Sequence, residues 1–76
     1  MVSLDLLEVG QSGRILRLDF KASEGQRFAE MGLTAGATLK VLKLAPLGDP
    51  MEILVRGYHL SLRKSDARLI EIEPLE

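Results

Sequence analysis

The chain has 76 residues, 46% hydrophobic and 28% charged, with seven glycines, three prolines, no cysteine, one histidine and a formal net charge of −1. That length allows a single domain, residues 1–76, and a domain so small buries only about 60% of the surface its unfolded chain exposes. Lack of cysteine excludes disulfides, thiolate zinc and iron–sulfur ligation, one histidine excludes a multi-imidazole site, and the balanced charge leaves no excess for a phosphate backbone.

Glycines and prolines punctuate the chain at short intervals, a pattern of short strands between turns. Ser3–Leu7 reads as one helical turn. Arg14–Phe20 (RILRLDF) reads as a strand with Leu16, Leu18 and Phe20 on one face and Arg17 and Asp19 on the other. A helix over Glu24–Met31 follows. Ser23 and Gln26 have the spacing of a capping box, and Glu24 suits the helix dipole in the first turn. Gly32 is placed to take the left-handed position after the last turn. Leu33 and Phe28 are then the apolar pair of a Schellman ending. Two turns are too few to hold alone, so the helix must dock through Phe28 and Met31.

Ala37–Ala45 (ATLKVLKLA) reads as a strand with Leu39 and Val41 inward. Met51–Arg56 follows with Ile53 and Val55 inward, Gly57 as a hairpin turn, and Tyr58–Arg63 with Leu60 and Leu62 inward. Lys64–Ala67 reads as a helical turn capped by Ser65, and Arg68–Glu73 as a last strand with Ile70 and Ile72 inward. The expected architecture is all-β with one short helix: five strands closing, or nearly closing, into a small barrel that limits exposed edges.

Little in the chain suits catalysis. His59 reads as a surface histidine rather than a ligand, because no partner lies near it in sequence. The pairs Asp49/Glu52 and Glu71/Glu73 fall on a loop and an alternating strand face, where carboxylates are solvated rather than tuned as acid and base. The run Gly32–Gly36 lacks the Gly-Lys-Ser/Thr of a phosphate loop. Arg56, Arg63, Lys64 and Arg68 thicken the basic charge late in the chain, either as a patch or as ordinary outward positions. The segment Ala45-Pro46-Leu47-Gly48-Asp49-Pro50-Met51 stands out. Two prolines stiffen it, and Leu47 and Met51 are expected to be partly exposed unless Leu47 folds back on the core. A rigid loop bearing an apolar side chain loses little entropy on binding. No apolar run approaches the roughly 20 residues of a membrane span, and no basic-then-apolar leader begins the chain, so the expectation is a cytoplasmic protein without membrane insertion.

The ordered motifs resemble one family. Glu30-Met31-Gly32-Leu33-Thr34-Ala35-Gly36, Ala45-Pro46-Leu47-Gly48-Asp49-Pro50 and Leu60-Ser61-Leu62-Arg63-Lys64-Ser65-Asp66-Ala67 are similar to successive stretches of FeoA proteins, small partners of bacterial ferrous iron transport. Leu7, Gly10 and Gly13-Arg14-Ile15 resemble the family's opening, and Ala35 stands where the family often has proline. The resemblance implies an SH3-like β-barrel and, as partner, the cytosolic G-domain region of the membrane transporter FeoB. It implies an accessory or regulatory role in Fe²⁺ uptake, with no catalytic residue, no cofactor and no metal ligand. The expected contact residues are Met31, Leu33, Leu47, Asp49, Met51, Tyr58, Arg63 and Lys64, rigid apolar points with a basic rim. A nucleic-acid- or metal-responsive regulatory module is the alternative. Nucleic acid is not expected as a partner, and weak self-association through an edge or the loop stays open.

Overall fold

The computed structural model describes residues 1–75, the side chains of residues 22–24 excepted. Its strands are β1 (Val2–Ser3), β2 (Ser12–Leu18), β3 (Thr38–Leu44), β4 (Met51–Val55), β5 (Tyr58–Leu62) and β6 (Ile70–Leu75). A 3₁₀ turn (Leu4–Leu6) follows β1, and the helices are α1 (Ala22–Glu30) and α2 (Lys64–Ala67). All strand pairs are antiparallel and run in the order β1-β6-β2-β3-β4-β5.

The sheet has six strands rather than the expected five, and it is not closed. The additional strand is the two-residue β1, which pairs Val2 with Ile72 and Ser3 with Glu71. Such a short strand carries no alternation to read. β1 and β5 end the order without pairing, so the sheet wraps one core and stays open between them. That core draws Ile15 from β2, Leu39 and Val41 from β3, Met51, Ile53 and Val55 from β4. Leu60 and Leu62 of β5 and Ile70 and Ile72 of β6 complete the strand contribution. Among the described residues no polar or charged side chain is buried. The core is therefore built from apolar burial, worth roughly 25 cal/mol per Å².

Alternation is kept in β4, β5 and β6; the inward residues of β5 and β6 are the expected ones, and β4 adds Met51 to the expected Ile53 and Val55. It fails in β2. A register shift between Ile15 and Arg17 makes Leu16 an extra residue, so Gly13 and Ile15 point inward before it, Leu18 and then Phe20 pack on the core after it as expected, and Leu16 is exposed. Such a bulge turns every later side chain of the strand to the other face. A second shift between Val41 and Lys43 bends β3.

Helix α1 begins at Ala22, earlier than expected, with Lys21 at the N-cap. The Ser23–Gln26 box and Glu24 of the first turn lie outside the described side chains. Its end is as expected. Gly32 has φ +94°, its N–H donates to the Ala29 carbonyl at 3.0 Å, and the Leu33 N–H donates to the Phe28 carbonyl at 3.0 Å. These are the two bonds of a Schellman motif, and Phe28 and Leu33 are both buried. The Phe28 ring also stacks on Phe20 with centroids 4.8 Å apart. At the β4–β5 hairpin, Arg56 (φ +48°) and Gly57 (φ +82°) form the two-residue turn with both φ values positive, which suits the twist of the flanking strands. Helix α2 is not capped by Ser65. Its N-cap is Arg63, and the Lys64 N–H donates to Asp49 Oδ1 at 3.0 Å, an acceptor fifteen residues earlier in the chain.

Candidate docking surface

The loop between β3 and β4 is fixed by its own backbone. The Gly48 N–H donates to the Ala45 carbonyl at 2.6 Å, and the Ala45 N–H donates to the Pro50 carbonyl at 3.1 Å. Asp49 ties the loop to the start of α2 through the Lys64 amide. Lys64 lies across Gly48, its Nζ 3.4 Å from where a Cβ would stand. Leu47 does not fold back on the core: it is 95% exposed, the most exposed large apolar side chain among the described residues. Leu47, Asp49 and Lys64 thus meet at one end of the molecule, with Arg63 beside them.

Met51 is a correction. Against the expectation of partial exposure it is fully buried, because it is the first residue of β4, paired with Leu44 and Leu62 on the inward face. Leu33 is 1% exposed as the apolar half of the Schellman ending. Neither presents a side chain to a partner. Tyr58 is 54% exposed but sits at the far end of the β4–β5 hairpin, opposite Val55. At about 3.3 Å per residue it is roughly 13 Å along the strand from Leu62 and the loop.

A groove joins the remaining residues. Met31, Arg27 and Phe28 of the α1 end line one wall, and Ser61, Arg63 and Asp66 the other. Ser61 and Arg63 also line a neighbouring depression with Asp49 and Pro50. The groove therefore runs from the end of α1, past β5, to the foot of the Leu47 loop. Arg27 and Ser61 were not among the expected contact residues. A signal exists for Arg27, which stands four residues before Met31 and so on the same helix face. It also lies over the Phe28 ring, with Cζ 5.0 Å from the centroid.

The late basic residues do not form one patch. Arg56 Nη2 donates to Thr34 Oγ1 at 3.1 Å at the hairpin tip, and Arg68 Nε lies 3.8 Å from Asp5 Oδ2 near the chain start. Only Arg63 and Lys64 border the groove and loop. The His59 side chain is 66% exposed, with Nδ1 3.8 Å from Glu52 Oε1. Glu73 pairs with Arg14 at 3.1 Å. Among the described residues no group of three or more His, Asp or Glu is placed to hold a metal ion. Among the described residues no helix is long and apolar enough to cross a membrane.

The model of the FeoA domain matches residues 2–74. The chain belongs to the FeoA family. A curated relative from Porphyromonas gingivalis is an Fe(2+) transport protein A/Fe(2+) transporter FeoB fusion protein, 37% identical over 70 residues. The match takes in 92% of this chain and 8% of that one, so the chain spans under a tenth of this relative's length. The solution structure of the FeoA protein from Chlorobium tepidum is 33% identical, with a TM-score of 0.93 over 99% of this chain and 71% of that one. The crystal structure of Stenotrophomonas maltophilia FeoA complexed with zinc, described as a procaryotic SH3 domain protein, is 22% identical with a TM-score of 0.79. It covers 96% of this chain and 91% of that one and shows the likeness of fold, so the open six-stranded sheet is SH3-like.

Proposed function

We propose that this FeoA-family chain is a cytoplasmic accessory protein of ferrous iron uptake that docks on the cytosolic part of FeoB and supports or tunes its activity, with no catalysis of its own. The supporting observation is the fusion: in the Porphyromonas gingivalis relative a stretch similar to this chain shares one polypeptide with FeoB. A covalent link of this kind raises the local concentration of a module that must act on its partner. Leu47 supplies a physical reason on this chain's side. It is an apolar side chain held outward on a loop already fixed by hydrogen bonds, so its burial on a partner costs little ordering entropy. Co-purification with FeoB, whole or as its cytosolic part, with and without guanine nucleotide, tests the reading. Capture is expected, weakened at least tenfold by Leu47→Asp. No capture in either nucleotide state overturns the docking, and undiminished capture of Leu47→Asp removes the loop from the interface.

A further inference from the structure

The free edge of β5 has the features of a strand-addition site. In the β4–β5 ladder, Val55/Tyr58, Ile53/Leu60 and Met51/Leu62 are the mutually hydrogen-bonded pairs, because the two-residue turn closes on Val55/Tyr58. The backbone N–H and C=O groups of His59 and Ser61 then point away from β4. β5 ends the sheet, and among the described residues His59 and Ser61 make no other hydrogen bond. The opposite edge is protected: β1 is two residues long, and β6 carries Pro74 beyond it. β5 has five residues and no proline, which makes it, among the described residues, the one long, open edge.

Its surroundings define the occupant. The groove alongside is lined by Met31, by Arg27 lying over the Phe28 ring, and by Arg63, against the single acidic residue Asp66. A strand lying there meets two cationic residues and one exposed apolar side chain. A second copy of β5 fits poorly, because residues 57–64 contain no Asp or Glu to answer Arg27 and Arg63. We infer that β5 binds, by strand addition, an extended acidic segment of the protein partner, bonded to the outward backbone groups of His59 and Ser61 with its carboxylates on Arg27 and Arg63. The inference rests on the docking reading above and adds the mode of contact and the chemistry of the contacted segment.

Hydrogen exchange on the wild-type chain, free and bound to FeoB, tests it without any substitution. The His59 and Ser61 amides are expected to slow at least tenfold in the complex, and the Leu60 amide, already bonded to Ile53, to change little. Ser61→Pro is the matching variant. It removes an outward N–H and no β4 bond, and its predecessor Leu60 is already extended, so the fold is retained. Ser61→Pro and Arg63→Glu are each expected to weaken binding at least tenfold. A complex that forms while both amides exchange as in the free chain overturns strand addition and leaves docking in place. Absence of any complex overturns docking and strand addition together. Protection that rises with the chain's own concentration assigns the edge to a second copy, and protection by a mixed oligonucleotide pool instead of FeoB assigns it to nucleic acid. Either result overturns the acidic segment.

Discussion

Two glycines separate the two reasons a position refuses a side chain. Gly13 lies in β2 with an ordinary backbone, but a Cβ there collides with Ile72 Cγ2 across the β2–β6 pairing. Gly57 is the reverse: nothing lies within 4 Å of its would-be Cβ, yet φ is +82°. Gly57→Ala is therefore expected to cost about 1 kcal/mol, the left-handed penalty of an L-residue. Gly13→Ala is expected to cost about 1–3 kcal/mol through overpacking. Urea unfolding checks both. The prediction is sharper in how the two respond to relief: Ile72→Ala removes the colliding Cγ2, so Gly13→Ala should cost less in that background than in the parent, while Gly57→Ala costs the same in both, since only the first pair is in contact.

At the scale of elements, the legible parts are those whose signal is local. The Schellman ending of α1 was readable because the φ requirement and the apolar pair lie within six residues, and the β4–β5 hairpin because alternation and turn adjoin. The phase of β2 was not, since hydropathy does not mark a bulge and Leu16 is as apolar as Ile15. Met51 is legible in the same terms: it stands two residues before Ile53, and the alternation that turns Ile53 and Val55 inward includes it, against the partial exposure expected from its place beside the loop. The outward aim of Leu47 was not legible, because it depends on bonds from Gly48, Pro50 and Lys64. The cap of α2 shows the same limit, for its acceptor comes from a distant loop. Asp49→Ala is expected to cost about 1 kcal/mol, the usual worth of such a cap. It should also raise exchange of the Lys64 amide and weaken FeoB binding several-fold with Leu47 unaltered, because the loop loses its anchor. Asp49→Asn, which keeps an acceptor oxygen, should restore most of both.

For the whole molecule, one core shared by all the longer strands means that unfolding is a single cooperative event. Docking and stability can then be separated by where a side chain points rather than by sequence distance. Leu47 and Met51 are four residues apart, one 95% exposed and the other fully buried. Met51→Ala removes contacts from the shared core and is expected to cost about 2–5 kcal/mol. At about 4–8 °C per kcal/mol for a domain of this size, Tm falls by roughly 10 °C or more. Leu47→Asp touches no packed neighbour and should hold Tm within about 4 °C of the parent, the range of ordinary surface changes. Calorimetry on both, beside capture by FeoB at a temperature where each is folded, gives the test: Leu47→Asp should lose the partner and keep its transition, while Met51→Ala should lower the transition and keep the partner. The opposite pairing of outcomes would mean that the partner reads the core's integrity and not the loop.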